Sequence, residues 1–122
     1  MLLPLAWLVR VEPTPEHRDW LQHMTRELLS FQDASVAIRD EVGSTGKGRY
    51  GPPKTNSAYG VTEAPLIQNN GDLLSDLLYT TNFAFLGLHE ASAATKDRIY
   101  HDAETKLAEW LCRIQVRSPQ RP

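Results

Sequence analysis

The chain has 122 residues, 41% of them hydrophobic and 23% charged, with a formal net charge of -2. This is the composition of one small folded domain and excludes a disordered segment. The lysines and arginines are scattered rather than gathered in a stripe, so the electrostatic footprint of a nucleic-acid binder is missing.

The first predicted element runs from about residue 2 to residue 11 and opens on Met1-Leu-Leu-Pro-Leu-Ala-Trp-Leu-Val9. No basic residue precedes this apolar run, Arg10 and Glu12 follow at once, and no small-residue cleavage site appears, so it is not expected to be a secretory leader. It is too short to cross a bilayer and reads as an inner helix, surrounded by protein and lacking a capping residue ahead of it. Nothing in the sequence indicates a cellular compartment.

Glu12-Pro13-Thr14-Pro15-Glu16 breaks and restarts the pattern. Thr14 suits an N-cap, Pro15 is pre-shaped for the first helical position, and Glu16 complements the positive end of the helix dipole. Trp20, Leu21, Met24, Leu28, Leu29 and Phe31 then give one apolar face, opposite Arg18, Gln22, Arg26 and Ser30. The stretch from about 14 to 31 is an outer helix, covering the first from the solvent side.

Residues 32–72 hold six of the seven glycines, with Pro52, Pro53 and Pro65, and show no sustained helical period. A connection this long inside a small domain is functional or hides an element. Val36 to Glu41 reads as a short extended piece. Gly43 to Gly51 invites comparison with a phosphate-binding loop, but Glu41 and Gly48 stand where that pattern needs glycine and a hydroxyl residue. The later part, Asn56 to Asp72, mixes Tyr59 with Gln68, Asn69, Asn70, Glu63 and Asp72, which is the repertoire for gripping a sugar: ring faces on the aromatic, hydroxyls on amides and carboxylates. The competing reading is a turn at Asn69 to Gly71 and a helix cap at Asp72. Glycoside hydrolysis uses two carboxyl groups facing one bond, and Asp40, Glu41, Glu63, Asp72 and Asp76 are the carboxylates available around the loop.

Leu73 to Ala94 is apolar on most sides and reads as a second inner helix. Lys96 to Val116 places Ile99, Tyr100, Ala103, Leu107, Trp110, Leu111 and Ile114 on one face and reads as a second outer helix. Cys112, the only cysteine, excludes an intrachain disulfide and is expected to pack as a small hydrophobe. The four histidines show no ligand pairing within a helix, so no metal or other cofactor is expected. His89 sits on the inner helix, where it would reach a cavity enclosed by a ring of hairpins.

The runs Tyr59 to Asp72, Leu77 to Glu90 and Ala103 to Arg117 resemble bacterial six-hairpin glycosidase-like proteins of the (α/α)6 toroid superfamily, which includes unsaturated glucuronyl hydrolases and sugar epimerases. The resemblance implies an all-α fold with two hairpins (about 2–31 and about 73–117) joined by the loop at 32–72, as one incomplete arc of a ring. It further implies that loops at inner-helix starts face the ring's cavity. On that basis Asp72 and Glu63 are candidate catalytic carboxylates, and Tyr59, Gln68, Asn70 and His89 candidate substrate-binding residues. The expected partner is an oligosaccharide or polysaccharide, with no nucleic acid and no membrane. Two hairpins out of six, ending in Ser118-Pro-Gln-Arg-Pro122, read as a fragment that is inactive alone. Its apolar inner helices would need the remaining hairpins or self-association to cover them. Two alternatives are a non-catalytic α-hairpin repeat that binds a protein, for which the connection at 32–72 is too long, and an epimerase-like fragment relying on histidines such as His89.

Overall fold

A computed structural model of the chain describes residues 1–40, 71, 73 and 77–115, and within them the fold is all-α. Four helices follow in order: α1 (Leu2–Val11), α2 (Pro15–Ser30), α3 (Asn82–Thr95) and α4 (Arg98–Arg113). A single π-helical turn, Leu77–Thr81, leads into α3. None of these helices is long and apolar enough to cross a membrane.

The local signals explain most boundaries. The Thr14 side chain accepts a hydrogen bond from the His17 amide at 3.1 Å and Pro15 opens α2. At the α3–α4 turn, Lys96 adopts left-handed backbone (φ 60°), and Asp97 then caps α4 by accepting from the Ile99 amide at 3.1 Å. The second inner helix departs from expectation. It was read as beginning at Leu73, but the α-helix begins at Asn82, because the widened π-turn intervenes. Thr81, 1% exposed and without a side-chain capping bond, is the residue at its start.

The two inner helices lie against each other and run parallel: Leu2 at the start of α1 meets Gly87, and Arg10 near its end meets Glu90, further along both helices in the same direction. α2 covers α1 and α4 covers α3, while the backbones of α1 and α4 stay apart, as do those of α2 and α4. An up-and-down four-helix bundle would close its first helix on its last. This arrangement is instead an open pair of stacked hairpins, with one layer of inner helices and one of outer helices. The core between the layers comprises Leu2, Ala6 and Val9 from α1, Leu21 from α2, Ala84, Leu88 and Ala91 from α3, and Tyr100, Ala103, Leu107 and Trp110 from α4.

Several expected core positions are instead at the surface, Trp7, Leu86 and Ile99 among them. Trp20 is 45% exposed, because the buried stripe of α2 is centred on Leu21 and Thr25 and Trp20 lies a full residue step to its side, where its ring meets His17 at 5.2 Å. Cys112 is exposed, two residues past Trp110 and therefore on the far side of α4. Phe83, expected within a surrounded helix, is 53% exposed because none of the described elements covers that side of α3.

Candidate functional site

The sequence-derived site residues divide unevenly over the structure. Tyr59, Glu63, Gln68, Asn70 and Asp72 lie outside the described residues. His89 lies within them, on the side of α3 turned toward α4: its Nδ1 is 2.7 Å from Glu104 Oε1. Glu104 is mostly buried, and the pair ties an inner helix to its outer partner at the edge of a polar groove shared with Ser92, Lys96, Arg98 and His101. Among the described residues no cluster of histidine, cysteine and carboxylate groups has the geometry to hold a metal ion.

The start of the long connection is well defined. Phe31 O accepts from the Arg39 amide at 3.0 Å, Ala37 O accepts from the Asp33 amide at 3.0 Å, and Gln32 and Ile38 form an antiparallel bridge between them. Of the extended piece expected at Val36–Glu41, the described residues, Val36–Asp40, are the return arm of a small hairpin turn, and Glu41 lies outside the described residues. Val36 takes φ 81° at its tip, a conformation that costs a β-branched residue about 1–2 kcal/mol. The cost is offset locally: Asp33 accepts from the Ser35 amide at 2.8 Å and from its hydroxyl at 2.6 Å, and Gln32 Nε2 donates to Val36 O at 3.1 Å. Arg39 adds donors to Phe31 O and Ser30 O, which closes the C-terminal end of α2.

Ser35's hydroxyl, assisted by the Ser35 and Ala37 amides and by Arg39, holds the Asp33 carboxyl below its ordinary range, with partial opposition from desolvation. A lowered carboxylate contributes stability above its unfolded value and loses it as pH falls through its folded value. Ser35→Ala should therefore raise the Asp33 titration midpoint, as followed by carboxyl-carbon NMR. An unchanged midpoint would mean that the hydroxyl does not control it.

The far end of the connection returns to the near end. Gly71, in left-handed backbone at φ 83°, donates its amide to Asp40 O at 2.8 Å. Asp40 is 4% exposed, so this neck sits in the body of the fold, packed beside the buried Ala37 and Ile38. Residues 41–70 thus leave and rejoin the described structure at a single pinned point.

A groove of about 520 Å³ opens at the N-terminal ends of the inner helices, lined by Leu3, Met24, Leu28, Phe31, Tyr79 and Phe83 among others, with Glu27 the only charged side chain among the described residues that line it. Its size is that of an ordinary ligand cleft. Tyr79, on the π-turn, and Phe83, in the first turn of α3, stack nearly parallel at 6.3 Å between ring centroids, tilted by 12°, and each is just over half exposed. π-turns of this kind occur frequently at functional sites because they re-aim side chains that a regular helix would point elsewhere. Sequence reading placed Tyr79 and Phe83 in a buried helix. Only the polar pair Thr80-Thr81, interrupting the apolar run, hinted at the irregular turn.

Comparison with protein-family models, with curated proteins and with solved structures finds no match to this chain.

Proposed function

We propose that the chain supplies two hairpins of a larger α-hairpin ring that binds carbohydrate, with the connection at 41–70 forming part of the rim of the sugar site. The observation that carries this reading is the half-exposed Tyr79–Phe83 stack at the start of an inner helix. Flat, exposed aromatic faces beside a groove suit the apolar faces of sugar rings, and the amides and carboxylates of Gln68, Asn70, Glu63 and Asp72 would supply the hydroxyl partners. The parallel inner helices, each backed by its own outer helix with both lateral edges left uncovered by the described residues, suit an arc of a ring. Hydrolysis, with Asp72 and Glu63 as the carboxyl groups, belongs in this reading to the complete ring and not to the isolated chain.

The test has two arms. Neutral and uronic-acid oligosaccharides, titrated into the chain, should shift the NMR signals of Tyr79 and Phe83, and Tyr79→Ala should weaken binding about tenfold, the cost of one good stacking contact. The longest reading frame containing this chain should release reducing sugar, and Asp72→Asn or Glu63→Gln should lower that release at least about tenfold with helicity retained. Absence of both sugar-induced shifts and sugar release would sink the proposal. The second reading, a non-catalytic helical repeat that binds a protein, is favoured by the groove's almost wholly apolar lining, which suits the face of an amphipathic helix better than a sugar.

A further inference from the structure

The inner layer carries an apolar surface that takes in the Tyr79–Phe83 stack of the proposed sugar site and extends beyond it. Tyr79, Phe83 and Leu86 are 55%, 53% and 46% exposed and line one shallow depression on α3. On α1, Trp7 is 52% and Val11 83% exposed. The two sets adjoin. Leu3 and Pro4 share the groove with Phe83, and Arg10 contacts Glu90, so Trp7, one turn from each of those points, faces the gap at Leu86.

We propose that this face is where two copies of the chain pair. Aromatic side chains present about 150–250 Å² each, and half of three such rings together with Leu86, Val11 and Met1 amounts to roughly 500 Å² of apolar surface. One side of a standard interface covers about 800 Å², somewhat more than half of it apolar. The face therefore matches the apolar share of what one partner of a stable dimer must contribute. Its composition is that of an interface centre, with a tryptophan, a tyrosine and a phenylalanine. Its charges do not oppose pairing of identical surfaces, because Arg10 and Glu90 already face each other at 2.6 Å across the seam. Two copies related by a two-fold axis would bury the same residues from each side and leave none of this face for a third.

The experiment is sedimentation equilibrium of the full chain without sugar, from about 1 µM to about 100 µM, beside Phe83→Asp, Trp7→Asp and the control Lys106→Glu on the solvent side of α4. All four proteins should show the same helicity by circular dichroism, since each substitution falls on a half-exposed or exposed side chain. The parent chain and Lys106→Glu should shift from monomer to dimer within that range. The two Asp variants should raise the dissociation constant at least about tenfold. A parent chain that stays monomeric throughout overturns the proposal. A dimer that both Asp variants leave intact, or association that grows past the dimer, overturns it equally. None of these outcomes depends on whether the chain binds carbohydrate.

Discussion

Gly87→Val should destabilise the fold by about 3 kcal/mol and lower its melting temperature by roughly 10 °C or more. The reason is the closeness of the two inner helices. A Cβ at position 87 would stand 3.0 Å from Leu2 Cβ, 3.2 Å from its Cγ and 3.1 Å from Cδ2. The nearest of these atoms is fixed to the backbone of α1, so rotating the Leu2 side chain cannot clear it, and α1 must move as a unit. Alanine at the same site sets this crowding against the gain of about 1 kcal/mol that a helix interior makes on losing glycine, and should lie within about 1 kcal/mol of the parent. Valine adds two methyl groups to the same space together with β-branched stiffness, and the balance turns against it. Leu2→Ala in the Gly87→Val background should recover part of the loss, although alone it should destabilise by emptying a core position. Thermal unfolding of the four proteins measures the coupling. Purely additive losses would mean that the helices do not meet at this point.

The same contact marks where sequence reading succeeded and where it stopped. α1 and α2 are legible to within a residue and the start of α4 to within two, because those boundaries are local: Thr14-Pro15 opens one helix, and a turn at Lys96-Asp97 separates two others; α4, expected to run to Val116, ends at Arg113. The inner and outer characters were legible because burial imposes its period on composition. The start of α3 is not, since a π-turn adds one residue to the hydrogen-bonded ring and leaves no signal in the sequence stronger than the polar pair Thr80-Thr81. Trp20 and Cys112 were misplaced because apolar identity stood in for angular position. The pairing of His89 with Glu104 joins residues fifteen apart across a turn, which no spacing rule within one helix reveals. Of the candidate site, the sequence pointed to the loop and its carboxylates. The Tyr79–Phe83 pair becomes visible only once that side of the helix carrying it is seen to be uncovered by the described residues.

Tyr100→Ala should cost about 3–5 kcal/mol, and Tyr100→Phe about 1 kcal/mol. Tyr100 is 2% exposed and comes from the first turn of α4, yet its neighbours include Gln22, Thr25 and Arg26 of α2. The backbones of α2 and α4 do not approach each other, so this side chain is the main bridge within the outer layer. Thr25 is 1% exposed, its hydroxyl donates to Leu21 O at 2.7 Å, and it lines the same groove as Tyr100. Truncation to alanine removes the ring that fills the gap between the helices, whereas phenylalanine keeps the ring and loses only the hydroxyl. The two variants should also separate in their pH dependence. Burial first, and then the charge of Asp97, raise the phenol above its ordinary value, with partial opposition from Thr25, Arg18 and Arg26. A group whose folded value is raised contributes stability that is complete below the unfolded value, about 10 for a phenol, and is lost as pH rises through the folded one. The parent chain should therefore lose stability steeply above that pH, measured by urea unfolding at stepped alkaline pH, and Tyr100→Phe should flatten this loss. Parallel curves for the two proteins would mean that the alkaline transition belongs to other groups and that Tyr100 acts through its packing alone.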